Sequence, residues 1–528
     1  MLKKGIVWFL VSIMLFSFAA CGKSDDKTNT TTATNQTTSS SDGSQVGSTL
    51  LYDKLTTWRV LTPNFPNAPL KGDQLTFKEM EKRTNVRLEI DDTTAASDYV
   101  TKLNMLLASG DLPEILVTTA VSTVSKYISQ GIFADLTPYM QTSGKDYLQE
   151  LSMNPVAQKN CITDDGKYYF FTQLSLQVDA PVYMINKPWL DKLGLQIPKT
   201  TDELYTVLKA FKTLGSDIVP WTKGQFFNNL EYGAFIPFGT WDNFKLFPDG
   251  KYAYGPYERS NELKSALKWL NKLYTEGLID QEYLTLDNDS YVAKFNKGEV
   301  GFVYGYPAKP IWNSDASGKI IEPRKSDWQF IPAIQGPTGI KNAFAIIPTA
   351  GPTFITKSIK EPEKAVKYFN YFYTNEGKEL FNFGIKGTSF NVVDGKNVYT
   401  DMIIKHEAGP VNGLRYNGIT PNNFPFDRVP EMTEASSPKQ TYEAMIEAAP
   451  LNEPSAPILI GSADEEKQLA DIMVNVNKYV IEMIPKFIEG SVSIDSGFDG
   501  FIAQLKKFKI EDAIAIKKAQ YDRWNSRK

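Results

Sequence analysis

"TTWRVLTPNFPNAPLKGDQLTFKEMEKRTNVRLEIDDTTAASDYVTKLNMLLASGDLPEILVTT", Thr56–Thr119, is the stretch from which the architecture follows. It opens on a short β-like run, Thr56–Thr62. "LTFKEMEKRTNV" then has the apolar spacing of an amphipathic helix, and "RLEIDD" reads as a second strand. "DYVTKLNMLLASG" puts Val100, Leu103, Leu106 and Leu107 at helical spacing and ends at Gly110, a C-cap residue. "EILVTT" is a third strand. The order β-α-β-α-β predicts a parallel sheet with helices on both faces, an α/β fold.

The same patterns continue downstream. "VSKYISQGIFADLTPYM" reads as a helix and a loop, and "PVYMIN" as a strand. "TDELYTVLKAFKTL" is a helix with an acidic first turn, and "NELKSALKWLNKLYTEG" is another. The chain ends in the helices "EEKQLADIMVNVNKYVIEMIPKFIEG", bent at Pro485, and "DGFIAQLKKFKIEDAIAIKKAQYDRW".

Upstream, Lys3 and Lys4 precede the uncharged run Gly5–Ala20. A run of this length fits a signal peptide, residues 1–20, better than a membrane span, which needs about 20 apolar residues. Ala19, Ala20 and Cys21 resemble the bacterial lipobox, with Phe18 where that motif usually has Leu. The resemblance implies a lipid on Cys21; the alternative is plain secretion with an incidental cysteine. Residues 22–48 are almost all Thr, Ser, Asn, Asp and Gly. Such a segment cannot bury enough apolar surface to offset its ordering entropy. With Cys21 it forms a tether, 21–48, of roughly 30 Å r.m.s. reach. The expected location is the extracytoplasmic face of the cell membrane, lipid-anchored.

After residue 48 about 480 residues remain, enough for two lobes with cores of their own. Net charge is −4, from 57 basic and 61 acidic residues, and −6 without Lys3 and Lys4. No basic cluster tracks phosphates, so nucleic acid is not an expected partner. Two cysteines and one histidine, His406, leave no Cys/His metal set and no His-based triad.

"LLASGDLPEIL", "SQGIFADLTPYM", "INKPWLDKLGLQIPKTTDELYTVLKAFK", "LYTEGLIDQEYLTLD", "FNKGEVGF" and "KEPEKAVKYFNYFYTNEGKELFNFGIKG" occur in this order. Together they resemble the carbohydrate-binding group of bacterial extracellular solute-binding proteins, which includes maltose-binding protein. The closing helices look like the long lipoprotein branch serving ABC importers of plant-wall and uronate oligosaccharides. The resemblance implies a two-lobed periplasmic-binding-protein-like fold with a ligand cleft between the lobes. Carried over, lobe 1 holds 49–174 and 302–384, and lobe 2 holds 175–301 and 385–528. It further implies a monomer that hands an oligosaccharide to an ABC permease, without catalysis and without a cofactor.

Sugars present an apolar C–H face and a rim of hydroxyls, so their sites combine aromatic platforms with amide and carboxylate groups. Residues 221–257 hold 12 aromatics interleaved with Asn228, Asn229, Glu231, Asp242 and Asn243. Phe226, Phe235 and Phe244 read as core, and Trp241 as a stacking platform. "FNNLEYGAF" resembles the maltose-binding segment that supplies a Glu and a Tyr, which nominates Glu231 and Tyr232. Ligands sit beyond the carboxyl ends of parallel strands, which nominates Asn64 and Phe65 after the first strand, and Thr118 and Thr119 after the third. The charged contacts of maltose-binding protein near the third strand are missing here. Asp179 falls where relatives carry a hinge-side ligand carboxylate, or is a solvated hinge acid. Ala308 stands where relatives have a stacking Trp, so Tyr304, Tyr306 or Trp312 has to replace it, with Tyr306 and Trp312 favoured. Arg415 and Tyr416 lie in the polar, aromatic "LRYNGITPNNFPFD". Arg415 is either a clamp for a uronate or one half of a surface salt bridge.

Several uronate-binding relatives carry a calcium loop where this chain reads "KTLGSDIVPW". Only Asp217 remains of its ligands, while calcium takes six to eight oxygens, so no metal is expected there; "LDNDSY", 286–291, is a weaker alternative. Two other functions stay open: a surface glycosidase, which needs two carboxylates about 5–10 Å apart, and a receptor for a peptide or other polar solute. The anchor reading is checked by cell fractionation. Cys21→Ala is expected to move the protein from the membrane to the soluble fraction; retention at the membrane refutes the lipid.

Overall fold

The structure, a computed structural model, describes residues 50–65, 69–128, 130–175, 181–224, 231–306, 312–314, 320–323, 327–337, 344–345, 348–437, 439–453 and 456–527. In β1 (Thr56–Leu61) Trp58 and Val60 are buried and Thr57 and Arg59 between them exposed, the period-two pattern of a sheet strand. α1 (Leu75–Thr84) buries Phe77, Met80 and Thr84. It stops at Asn85, whose left-handed φ of 56° lets its N–H reach the Glu81 carbonyl. After β2 (Val86–Asp91), α2 (Tyr99–Ser109) closes on Gly110 at φ 74°. Its core stripe is Tyr99 and Leu103; Val100, expected inside, is exposed, because the face is set by Tyr99 one position earlier. β3 (Ile115–Val117) is wholly buried.

The chain continues through β4 (Phe170–Ser175) into a second sheet, β5 (Val182–Asn186), β6 (Val219–Thr222), β7 (Val300–Gly305) and β8 (Trp328–Ile331). It then returns as β9 (Thr349–Ile355) and β10 (Asp427–Arg428). The first sheet has the order β10-β4-β9-β3-β1-β2 and the second β8-β5-β7-β6. β1, β2 and β3 are parallel as expected. β9 is not: it runs antiparallel to both β3 and β4. β4 leaves the first sheet at the edge where β1 and β3 end, so a strand returning at that edge points the other way.

Each sheet has its own core. The first gathers Trp58 to Leu174, Phe354 to Phe381, Phe424, Phe426 and Ile460; the second gathers Tyr183 to Tyr304, Ile331, Ile334 and Leu469 to Ile514. These are the two lobes. Their boundaries differ from those expected. Phe302, Tyr304, Ile331 and Ile334 belong to the second core, because β7 and β8 flank β5 on either side. The return to lobe 1 therefore lies between Ile334 and Phe354, not at 302. Phe424, Phe426 and Ile460 belong to the first core, because β10 pairs with β4.

The last helices tie the lobes together. α3 (Pro155–Asn160) packs in lobe 1, and α4 (Pro410–Tyr416) on its edge. α5 (Ala463–Glu489) starts from a Ser462–Glu465 capping box and contains Pro485. It buries Leu469, Val476, Val480, Ile484 and Phe487 against the second core. α6 (Ile494–Lys507) and α7 (Ile510–Ser526) follow. α7 belongs to lobe 2 along most of its length: Glu511 accepts from the Tyr257 hydroxyl at 2.7 Å, and Tyr521 stacks on Tyr252. Its final turn docks on lobe 1 instead. Trp524 Nε1 donates to Asn160 Oδ1 at 2.9 Å, and Arg527 meets Asp164 and the Lys159 carbonyl.

The Arg527 side chain is 1% exposed, so its charge is paired where water cannot replace the partner. Arg527→Ala removes one of the two arginines on Asp164, which keeps Arg523, together with the bond to the Lys159 carbonyl, and is expected to lower the unfolding free energy by about 1.5–3 kcal/mol, read as a fall in urea midpoint. Lys405→Ala, which breaks an exposed pair with Asp401, should cost under about 1 kcal/mol.

Candidate functional site

β1, β2 and β3 deliver their following loops to one edge of the first sheet, and the polar residues gather there. Asn64 N–H donates to the Thr94 carbonyl at 2.9 Å and its Nδ2 to the Asp92 carbonyl at 2.7 Å. Its Oδ1 is enclosed and, among the described residues, has no hydrogen-bond partner. The same holds for Thr62 Oγ1, and the Tyr99 hydroxyl is enclosed with the Thr118 side chain as its neighbour. Each such group costs about 1–3 kcal/mol unless water or a ligand satisfies it. Thr118 is buried and donates its N–H to the Pro352 carbonyl at 3.0 Å; Thr119 is exposed and Phe65 half-buried. Asn64, Phe65, Thr118 and Thr119 are thus brought to one edge.

The segment 415–428 lies along that edge. Gln74, at the start of α1, donates Nε2 to the carbonyls of Arg415 and Tyr416, and Thr76 Oγ1 donates to the Gly418 carbonyl at 2.7 Å. Further on, Gly351 sits at φ +55°, where an added Cβ would lie 2.5 Å from the Asn423 carbonyl oxygen; glycine is needed for both reasons. The segment then joins β4 as β10. Tyr416 is exposed and stacks on His406 at 5.3 Å. Arg415 is half-buried, and among the described residues its guanidinium has neither a hydrogen bond nor an ion pair. Burial holds it below the ordinary arginine range. The surface salt bridge open to it in the sequence is not formed among the described residues.

In lobe 2, Glu231 and Tyr232 stand in the short helix Glu231–Phe235, with side chains outside the described residues. Asp179, Phe226, Asn228 and Asn229 lie outside them altogether, as does Cys21. Trp312 opens the strand Trp312–Ser314, its side chain likewise undescribed. Tyr306 is half-buried, directly after β7. Phe235 is core as expected, and Phe244 is half-buried against that core.

Trp241 differs from the bare platform expected. It is 9% exposed, within the second core, and Lys245 Nζ lies 4.5 Å from its ring centroid. Its backbone is pressed on Gly255, where an added Cβ would lie 2.1 Å from the Trp241 carbonyl oxygen. The close approach seats the indole inward and gives one face to an ammonium. Lys245 is buried and Asp242 half-buried beside it, each charge acting on the other, a feature that the sequence does not mark. Burial pulls the ammonium down to about 8 and pushes the carboxyl up to about 6. Only their three-residue separation inside an aromatic stretch signals them.

Below β6, an open depression of about 750 Å³ is lined by Asp217, Asp280 and Glu282 among others. Lys294 Nζ holds both Asp280 oxygens, at 2.8 and 2.9 Å, and Glu282 at 3.0 Å, and Thr222 Oγ1 donates to Asp280 at 2.8 Å. In "LDNDSY", Asp287 accepts from Ser290 N–H as a helix cap. Among the described residues no group of three or more His, Cys, Asp or Glu is placed to hold a metal ion.

Residues 67–379 match the family described as bacterial extracellular solute-binding protein. Over 98% of both chains the sequence is 24% identical to the fructooligosaccharide ABC transporter substrate-binding protein FusA of Streptococcus pneumoniae. It is 29% identical to the polygalacturonan/rhamnogalacturonan-binding protein YtcQ of Bacillus subtilis, over 61% of this chain and 64% of that one. The fold superposes on the alginate-binding protein AlgQ2 without calcium ion with a TM-score of 0.69 at 22% identity, covering 90% of this chain and 99% of that one.

The raised Asp242 carboxyl fixes a pH dependence. Between about pH 4 and 6 the folded protein keeps a proton that the unfolded chain has lost. This contribution to stability is therefore present below about pH 4 and lost as pH rises through about 6. Lys245 stays protonated throughout this window. Urea titrations of wild type and Asp242→Asn should show their stability difference moving against the wild type by up to about 2 kcal/mol from about pH 4 to about pH 7. A pH-independent difference refutes the assignment.

Proposed function

The chain belongs to the bacterial extracellular solute-binding protein family, and from that premise we propose that it captures an oligosaccharide between its lobes and presents it to an ABC importer. The carrying observation is the architecture: two lobes with separate cores, and a first-lobe edge where enclosed polar atoms lack partners among the described residues. The names of FusA, YtcQ and AlgQ2, all binding proteins for oligo- or polysaccharides, support the sugar class.

In this reading Asn64, Phe65, Thr118 and Thr119 contact the sugar from lobe 1. Glu231, Tyr232, Tyr306 and Trp312 do so from lobe 2, with Asp179 from the connecting chain. Trp241 supports these contacts from the core behind them and does not itself carry a ring of the sugar. Closure follows when a ligand contacts both lobes at once, because only then does it bind the closed form better than the open one. The protein acts as a monomer, held at the cell surface by lipidated Cys21, and binds without cleaving.

A thermal-shift screen tests this against fructo-oligosaccharides, oligogalacturonates, oligoalginates and a peptide pool. A bound ligand at about a hundred times its Kd adds about 2.7 kcal/mol of stability, so a sugar of the right class should raise the melting temperature. Mass spectrometry of the same mixtures should recover the sugar intact. A shift with peptides alone refutes the sugar class, and shortened oligosaccharides refute the receptor reading in favour of a glycosidase.

A further inference from the structure

Resting on the receptor reading, we infer that Arg415 is a carboxylate clamp, and that the ligand is an oligosaccharide bearing acidic sugar units.

Elsewhere in this protein arginines are given acidic partners. Arg59, Arg83, Arg87, Arg259, Arg523 and Arg527 each sit within ion-pair distance of an Asp or Glu. Arg428 lies over the Phe426 ring. Arg415 is more enclosed than several of these, yet its guanidinium meets no carboxylate among the described residues. Removing a charge from water without a partner is costly, and buried charges in proteins are ordinarily paired. The C-terminal end of its own helix compensates only in part, by about 0.3–1 kcal/mol. The guanidinium is half-buried and none of its nitrogens is fully enclosed, so water serves it until an anion of matching shape displaces that water.

Its place is equally specific. Gln74 and Thr76, at the start of α1, bind the carbonyls of Arg415, Tyr416 and Gly418. That fixes the Arg415 backbone at the edge where β1 and β3 end, on the same lobe edge as the unpartnered Asn64 Oδ1. The main chain is therefore set before a ligand binds, and only the side chain needs to be ordered. The chemistry selects the ligand. A guanidinium offers a planar fork of N–H donors that matches a carboxylate in two parallel hydrogen bonds. A neutral sugar hydroxyl satisfies the donors but leaves the charge uncompensated. Net charge of −4 gives an acidic ligand no long-range attraction, so the preference for it has to come from a local cation.

The test uses calorimetry on the full chain with trimers of galacturonate, mannuronate and guluronate, their methyl esters, and the neutral trisaccharide kestose. At least one acidic trimer is expected to bind tenfold or more tightly than its ester. Arg415→Gln should erase that preference and Arg415→Lys should keep part of it. Without ligand, Arg415→Gln should melt no lower than wild type, since it removes a charge that has no anion among the described residues. If the acid preference survives Arg415→Gln, the clamp is refuted, and a lower melting temperature of that variant then marks Arg415 as structural. If kestose binds and no acidic trimer does, the clamp fails while the receptor stands. If neither acidic nor neutral oligosaccharides bind, both readings fall.

Discussion

Three parallel strands that end at one edge impose most of the geometry of the first lobe. β1, β2 and β3 run the same way, so every turn from strand to helix opens on the same side of the sheet. Each turn must leave polar backbone and side-chain groups beyond the last ladder hydrogen bond. Thr62, Asn64 and Thr118 occupy those positions, with Tyr99 at the start of α2 beside them. The antiparallel course of β9 belongs to the same constraint. A chain that leaves the sheet at its polar edge and comes back to that edge must return pointing away from it. Gly351, in that returning strand, then lets the 415–428 segment lie against it.

The second consequence is mechanical. The lobes have separate cores, and the chain passes between them after β4, before β9, on either side of Ala444 and Ala448, which pack on the second sheet, and on the approach to α5. Packed cores resist deformation, so relative motion belongs to the connections. The end of α7 adds a fixed point. Arg523, Trp524 and Arg527 bind Asp164 and Asn160 of lobe 1 from a helix rooted in lobe 2. Motions that keep these bonds are rotations about that corner. Sliding of one lobe over the other would break a buried guanidinium–carboxylate pair, and rotation would not.

Local pattern is legible in the sequence, and long-range pairing is not. The helices at 75–84, 201–212, 463–489 and 510–526 follow from apolar spacing and caps such as Thr200 and Ser462. The lobe boundary escapes the sequence because β7, "VGFVYG", is buried throughout and carries no mark of which sheet it joins. Its assignment depends on β5 and β6 lying on either side of it. At the lobe 1 edge, strand-end reasoning predicts where Asn64 and Thr118 lie, at the ends of β1 and β3. Composition alone does not tell a wall from a platform at Trp241, since aromatic enrichment is the same for both. The Lys245 ammonium over its ring is a tertiary fact. The want of a counter-ion for Arg415 among the described residues is another, because a chain with 61 acidic residues offers a partner to every arginine until the fold decides otherwise.

Lys294 shows the opposite solution to the same electrostatic problem. Asp280 is 4% exposed, and a carboxylate so enclosed needs a cation and several donors. It receives two contacts from Lys294, one from Thr222 and one from the Glu282 N–H. A dissociable ion in that role would stabilise only as far as its concentration exceeds its Kd. An ammonium carried on the helix Asn288–Lys297 is present at all times and fastens that helix to β6 through Thr222. Lobe 2 is therefore neutralised internally and rigid at this corner, whereas at the lobe 1 edge a guanidinium finds no anion among the described residues. Charge satisfied in one place gives structure; in the reading proposed for Arg415, a charge without an anion among the described residues selects the ligand instead.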